Sequence, residues 1–114
     1  MSKTPALAQF GRWGFPYELR TFKASAFTAE EAAEALGLDP LMILKTLVVR
    51  GERRGYGLAV IPTPFQLSLR KLAGVMDDKR VEMIALEDLT RVTGYVKGGV
   101  SPFGTKRAMP VYLD

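Results

Sequence analysis

Residues 43–61 read ILKTLVVRGERRGYGLAVI, and this stretch decides the fold. Its two ends, 43–49 and 56–61, are apolar and rich in the β-branched side chains that favour strands. Between them, Gly51–Gly55 is a short charged segment bounded by glycines, which is typical of a tight turn. The stretch therefore predicts a β-hairpin at the centre of the protein.

Helices and further strands are predicted on both sides of this hairpin. Upstream, the patterns indicate a helix, a half-buried strand, and a helix that opens with a Thr28–Glu31 capping box and ends at Gly37, over 4–13, 17–22 and 28–37. Downstream, they indicate a helix, a strand, a helix and a closing strand, over 68–76, 81–84, 86–92 and 111–113. Short strands mixed with helices, without regular βαβ units, predict an α+β domain: a curved, mixed, barrel-like sheet surrounded by short helices.

Composition limits the available chemistry. The 114 residues suit a single domain and include neither cysteine nor histidine. Ser-His-Asp and Cys-His machinery is therefore excluded, and we expect no metal site and no cofactor. Any hydrolysis must use lysine, carboxylates, hydroxyls, backbone groups, water or the substrate itself.

Charge and hydropathy indicate the setting in which the chain works. No apolar run approaches the ~20 residues of a membrane span, and no secretory leader is evident, so we expect a cytoplasmic protein away from membranes. The formal net charge is +4. After residue 50, ten basic residues stand against seven acidic ones, which favours a polyanionic partner.

Lys45 is the first candidate for chemistry because it interrupts an apolar strand. A lysine held between Ile43 and Leu47 loses solvation and needs an anionic or carbonyl partner, which is the role of a substrate-facing ammonium group. Alternatively, Lys45 buries its stem and keeps its charge in water at the strand's end. The sequence leaves both interpretations open.

A glycine-rich loop at 94–104 is the second candidate. Its segment 98–102 reads GGVSP, and the glycines allow backbone N–H groups to approach a phosphate, a carboxylate or a carbonyl oxygen. An ordinary tight connection is the alternative. Four basic residues could contact phosphates, or could simply be solvated: Arg70, Lys71, Lys106 and Arg107.

Three segments together resemble a known family. They are EAAEALGLDP at 31–40, KTLVV at 45–49 and TGYVKGGVSPFG at 93–104. In order and spacing they are similar to the YbaK/ProX/EbsC editing domains, related to the editing domain inserted in bacterial prolyl-tRNA synthetases. The resemblance implies a hydrolase that deacylates mischarged aminoacyl-tRNA, of the Cys- or Ala-tRNA(Pro) class, without a His or Cys nucleophile.

The resemblance also implies roles for individual residues. Lys45 of the K-T-L motif would line the pocket and hold the aminoacyl-adenosine end, and Gly98 would place its backbone near the scissile carbonyl. Phe22 falls where some cysteinyl-specific relatives carry a pocket tyrosine. The implied substrate-binding residues are Phe22, Thr46, Gly99, Val100, Ser101 and Pro102. The implied partners are the 3′ end of a mischarged tRNA and prolyl-tRNA synthetase.

Members of this family usually continue past the position of Asp114 with a strand, a second glycine-containing loop and a last helix. We therefore expect residues 1–114 to form one C-terminally short editing domain. Two alternatives remain open: a non-catalytic tRNA or nucleic-acid binding module or regulator with the same fold, and an oligomer in which the exposed last strand pairs with another subunit.

Overall fold

The computed structural model describes residues 4–20, 29–97 and 99–114. In chain order the elements are α1 (Pro5–Trp13), α2 (Ala29–Leu36), a 3-10 turn (Pro40–Met42), β1 (Leu44–Gly51), β2 (Gly55–Pro62), α3 (Leu69–Met76), β3 (Val81–Met83), α4 (Leu86–Thr93) and β4 (Val111–Leu113). No helix in the described part of the chain has the length and apolarity needed to cross a bilayer.

The strands within the described residues form one mixed sheet of four, in the order β3-β1-β2-β4. β1 runs antiparallel to both β2 and β3, which confirms the central hairpin. β4 runs parallel to β2, so the chain must cross over between them, and it does so through α3, β3, α4 and the glycine-rich loop. The α+β expectation is confirmed, with an open sheet that has β3 and β4 at its edges.

Asp78 holds the hairpin turn from outside the sheet. Its carboxylate accepts hydrogen bonds from the backbone N–H of Arg54 at 2.8 Å and of Arg53 at 3.1 Å. The bond from Arg54, followed by that from Arg53, lowers the pKa of Asp78 because both favour the charged form. Gly51 is required here because any Cβ at that position would collide with the carboxylate of Asp78.

The two faces of the sheet carry separate apolar clusters. On the side we call the α3 face, the buried residues are Val49, Ala59, Leu72, Ala73, Met76 and Val81. On the other side, the α4 face, they are Val48, Leu58 and Leu89, with Ile84, Val100 and Met109 packed against them. Because side chains alternate along a strand, each residue of β1 can be assigned to one of these faces.

The predicted helix ends are confirmed where they fall on described residues. Thr4 caps α1 through its side chain, and Gly14 ends that helix at φ 69°. The side chain of Ser68 caps α3 in the same way. Gly37, at φ 67°, follows α2 as predicted, whereas Thr28 of the proposed capping box lies outside the described residues.

The strand predicted over 17–22 is wrong for residues 17–20, and the remainder lies outside the described residues. Residues 17–20 are exposed and pair with no described strand. The ring of Tyr17 lies 5.5 Å from the ring of Phe10 on α1, whereas Leu19 is 46% exposed. The alternation of apolar and polar residues over these positions therefore does not mark a strand.

Candidate functional site

At the start of β1, the first two residues of the predicted K-T-L motif lie on different faces of the sheet. Lys45 is half-buried and pairs with Ile61 of β2, while the next residue, Thr46, pairs with Val60. Counting along the strand, Lys45 lies on the α3 face and Thr46 on the α4 face. Lys45 is also the second residue of β1, so it lies close to the strand's end.

A largely apolar cavity of about 440 Å³ lies on the α3 face. Ile61, the strand partner of Lys45, is part of its wall, together with Leu72 and Tyr112. Ser68 and Lys71 add the polar groups. An apolar cavity of this size with a few polar groups has the character of a small-molecule site.

The glycine-rich loop forms a closed unit at the end of α4. The backbone N–H of Lys106 donates to the carbonyl of Thr93 at 2.9 Å, so the two ends of the loop meet. The hydroxyl of Tyr95 then crosses the loop and donates to the carbonyl of Phe103 at 2.6 Å. With its ends joined and one internal crosslink, the segment has the properties of a compact Ω-type loop.

Thr93 fixes the base of this loop. It is fully buried, and its hydroxyl donates to the carbonyl of Leu89 at 2.8 Å while accepting from the N–H of Tyr95 at 3.0 Å. Tyr95 is itself only 8% exposed. Sequence reasoning did not single out Thr93 or Tyr95; the available signal was a polar side chain at a helix end beside a glycine, which often forms a cap.

The predicted substrate-binding residues of the loop are placed by backbone bonds and by one core contact. The N–H of Gly99 donates to the carbonyl of Val96 at 3.0 Å. Val100 packs against the α4-face cluster. Ser101 accepts a bond of 3.1 Å from the N–H of Phe103, and Pro102 next to it is half-buried.

The structure therefore brings some predicted site residues together and separates others. Thr46 and Val100 share the α4 face, and Lys45 lies on the α3 face of the same strand. Phe22 and Gly98 lie outside the described residues. The four predicted cations fall in two places. Lys106 and Arg107 follow the loop, and Arg70 and Lys71 belong to α3.

Guanidinium groups surround Tyr56 beside a second cleft of about 510 Å³. Arg50 and Arg107 lie 5.4 Å and 5.3 Å from the centre of the Tyr56 ring. Arg91 makes an ion pair of 2.9 Å with Asp88, and hydrogen bonds to Asp88 and then to Tyr56 raise the pKa of Arg91. Such a cluster can bind a phosphate through charge and directional N–H donors.

Comparison with known proteins gives one family. Residues 23–114 match the profile of the aminoacyl-tRNA editing domain. EbsC of Enterococcus faecalis, which carries the provisional name Cys-tRNA(Pro)/Cys-tRNA(Cys) deacylase, is 42% identical over 97% of this chain and 69% of its own length.

Two further proteins agree with that match. The proline–tRNA ligase of Fervidobacterium nodosum is 29% identical over 76% of this chain, which corresponds to 15% of the ligase. A solved structure, described as a candidate trans-editing enzyme for prolyl tRNA synthetase, superposes with a TM-score of 0.83 at 32% identity. The superposition covers 96% of this chain and 69% of that structure's chain.

Proposed function

The chain belongs to the aminoacyl-tRNA editing domain family, and from this premise we propose that it hydrolyses the ester of mischarged Cys- or Ala-tRNA(Pro). The observation that supports this best is the loop closed by Thr93 and Tyr95, because the rigid backbone of such a loop can hold a carbonyl in one position. We further propose that residues 1–114 act together as one editing domain in the cytoplasm.

The reaction is a transfer of an acyl group to water. Water attacks the carbonyl carbon of the ester, and the carbonyl oxygen takes the negative charge. When this intermediate collapses, the bond between the carbonyl carbon and the ribose oxygen breaks, and that oxygen takes the proton lost by the water and leaves as a hydroxyl of the tRNA. The chain has no histidine or cysteine for this work, so positioning and polarisation of the carbonyl must supply the rate. An aminoacyl ester is already activated, and a modest lowering of its barrier is sufficient.

Gly98 is our candidate for the contact with the scissile carbonyl. Its neighbour Gly99 uses its own N–H in a bond to the carbonyl of Val96, which favours Gly98 for this role over Gly99. A side chain at Gly98 would keep the ester away from the backbone. The part of the loop that follows, through Val100 and Pro102, is seated on the protein and would form one wall of the pocket.

Lys45 is our candidate for holding the aminoacyl-adenosine end. It is the second residue of β1, so its four-carbon stem can carry the ammonium group past the strand's end toward the α4 face. Thr46 already lies on that face, and its hydroxyl can bond to the substrate. Together they would contact the adenosine and the amino acid from the side opposite the loop.

The amino acid would be selected by size. Phe22, Val100 and Pro102 are apolar, and an apolar pocket separates small side chains by only ~1–3 kcal/mol. We therefore expect Ala- and Cys-tRNA(Pro) to be hydrolysed at rates that differ by about tenfold to a hundredfold. Any further discrimination between amino acids would come from prolyl-tRNA synthetase, because the mischarged tRNAs that it produces would be the ones available for hydrolysis.

Lys106 and Arg107 are our candidates for contacts with the tRNA backbone near the loop. Both are exposed, and Arg107 is part of the guanidinium cluster at Tyr56. The same cluster supports the alternative function, a nucleic-acid binding module without hydrolysis. Arg70 and Lys71 are exposed on α3 and would contact tRNA only if it extended around the sheet.

The test is release of radiolabelled amino acid from Ala-tRNA(Pro) and Cys-tRNA(Pro), with Pro-tRNA(Pro) as the substrate to be spared. Lys45→Ala should reduce release at least a hundredfold, and Lys79→Ala, which changes an exposed lysine outside both clefts, should not. If the folded protein binds tRNA(Pro) but releases no amino acid, the binding-module alternative is correct and the hydrolase proposal is wrong.

A further inference from the structure

A cluster of aromatic rings joins the N-terminal helix to the glycine-rich loop. Its members, which we call the aromatic platform, are Phe10, Trp13, Phe15, Tyr17 and Phe103. The rings of Phe10 and Phe103 are 4.7 Å apart, and those of Trp13 and Phe15 are 5.3 Å apart. These spacings are those of aromatic groups in direct contact.

The aromatic platform is open to solvent. Trp13, Phe15 and Tyr17 are 47%, 57% and 48% exposed, and Phe103 is 39% exposed. Single exposed apolar residues are common, but a contiguous patch of large rings usually marks a binding surface. The platform therefore has the character of a binding surface, suited to an occupant that covers several aromatic faces at once.

The platform is attached firmly to the loop. Gly104 lies at φ 68°, and its backbone packs so closely on Pro5 that an added Cβ would collide with the Pro5 carbonyl. Phe103, next to Gly104, belongs to the platform and also accepts the crosslink from Tyr95. A ligand on the platform is consequently held at a fixed position relative to the loop.

Charge indicates the chemistry of the occupant. Residues 4–17, which supply all the rings except Phe103, contain Arg12 and no acidic residue. The loop segment 94–107 contains Lys97, Lys106 and Arg107, and again no acidic residue. The acidic residue that follows Tyr17, Glu18, is offset by an ion pair of 3.1 Å with Arg20. Exposed rings beside an excess of cations are the composition that binds single-stranded nucleic acid, whose bases stack while its phosphates meet the positive charges.

We propose that the aromatic platform stacks the unpaired bases of the tRNA 3′ end, and so delivers the terminal aminoacyl-adenosine to the loop. This proposal rests on the proposed function, because the orientation of the bound strand assumes that the loop holds the terminal ester. Stacking itself needs no hydrolysis, and it also needs no recognition of the tRNA body. The two proposals can therefore be tested separately.

Trp13 is the only tryptophan of the chain, so its fluorescence reports on the platform alone. We would titrate the full chain with a short single-stranded RNA that ends in CCA and, in parallel, with a blunt RNA duplex of equal phosphate number. The single strand should quench Trp13 through base stacking, and the duplex should not. Equal quenching by both RNAs, or quenching by neither, would overturn the proposal.

Substitutions localise the binding. Phe15→Leu and Tyr17→Leu keep an apolar side chain but remove a stacking surface, and each should weaken binding of the single strand by about tenfold. The matched control is Phe65→Leu, because Phe65 is 53% exposed but lies in the wall of the α3-face cavity. Equal loss of affinity in the control would contradict the platform.

Hydrolysis assays separate this proposal from the function. If CCA-ended RNA quenches Trp13 and no mischarged tRNA is deacylated, the platform is supported and the deacylase proposal fails. If deacylation is found and Tyr17→Leu leaves its KM unchanged, the platform proposal fails and the deacylase stands. A raised KM at an unchanged kcat in Tyr17→Leu is the result that we expect.

Discussion

The hydroxyl of Tyr95 lies 2.6 Å from the carbonyl oxygen of Phe103 and joins the two arms of the glycine-rich loop near its base. The two residues are eight positions apart, and one ring is buried while the other is exposed on the aromatic platform. A single bond therefore connects the interior of the protein to the surface where we expect the tRNA end to bind.

Removing this bond should loosen the loop without unfolding the protein. Tyr95→Phe keeps the buried ring and deletes only the hydroxyl, so we expect a loss of about 1 kcal/mol in the free energy of unfolding. Deacylation should fall more steeply, by about tenfold or more in kcat/KM, because a carbonyl is positioned poorly by a mobile backbone.

Urea denaturation and single-turnover deacylation measure these two effects. Tyr112→Phe is the control, since Tyr112 is half-buried on β4 next to the α3-face cavity. If Tyr95→Phe reduces activity only in proportion to the fraction of protein unfolded, the loop needs no crosslink and the proposed role of Tyr95 is wrong.

Much of the fold was predictable because it depends on local signals. The β1–β2 hairpin follows from two β-branched runs on either side of a glycine-bounded turn, and the ends of α1 and α3 follow from Thr4 and Ser68. The strand prediction failed at residues 17–20 because alternation over so short a segment is a weak signal: Tyr17 contacts Phe10 of a helix, and Leu19 is exposed.

The site was less predictable because it depends on relations between distant segments. Alternation along β1 separates Lys45 from Thr46, but the character of each face is set by α3 and α4, which lie far away in the sequence. The guanidinium cluster around Tyr56 combines β1, α4 and the segment after the loop, through Arg50, Arg91 and Arg107. No local pattern in the sequence indicates that such residues meet.

The hairpin turn should respond to acid through Asp78. Its pKa is lowered below the ordinary 3.8, mainly by the bond from the N–H of Arg54, so its ionised form stabilises the fold. That contribution is fully present above the unfolded-state pKa and is lost as pH falls through the lower folded-state pKa. Asp78→Asn should therefore be less stable than the wild type at pH 6, and the difference should shrink at pH 3.

Urea denaturation at the two pH values tests this prediction. The control is Asp77→Asn, because the carboxylate of Asp77 is exposed and forms a surface ion pair with Arg54, while the carbonyl that accepts from Arg53 and Arg54 is kept. Asparagine also tolerates the left-handed backbone at that position, where φ is 55°. An Asp78→Asn deficit that is equal at both pH values would contradict the assigned role of the ionised carboxylate.

The packing of α1 on the loop can be tested with two glycines of nearly equal conformation. Gly104 and Gly14 have φ values of 68° and 69°, so alanine at either position meets a backbone strain of about 1 kcal/mol. Only at Gly104 does the added Cβ collide with Pro5; at Gly14 it meets nothing within 4 Å. Gly104→Ala should cost clearly more stability and should also shift the emission of Trp13.

Denaturation and emission spectra of the two variants give the comparison. Similar losses of stability with an unchanged Trp13 spectrum in both would show that α1 does not depend on the contact between Pro5 and Gly104. In that case the aromatic platform could not be held in place by the loop.

Arg107 should contribute to tRNA binding through its charge. Arg107→Ala should weaken binding of uncharged tRNA(Pro) and lower the slope of log K against log salt by about one, as expected for the loss of one phosphate contact. Arg70→Ala is the matched control, because Arg70 is exposed on α3. Equal salt slopes for the wild type and Arg107→Ala would exclude a direct phosphate contact by Arg107.

Substitution of Lys45 distinguishes a role of its charge in catalysis from a structural role of its side chain. Lys45→Met keeps a long apolar stem beside Ile61 and removes the charge, so packing on the α3 face should be retained and the free energy of unfolding should change by less than about 1 kcal/mol. If the ammonium group reaches past the end of β1 to the aminoacyl-adenosine, kcat/KM should fall at least a hundredfold in this variant. Thr46→Val, which is nearly isosteric, should lose only the contribution of one hydroxyl, about tenfold. Full activity in Lys45→Met would mean that the charge of Lys45 only meets water at the strand's end, and the carbonyl would then be polarised by the loop alone.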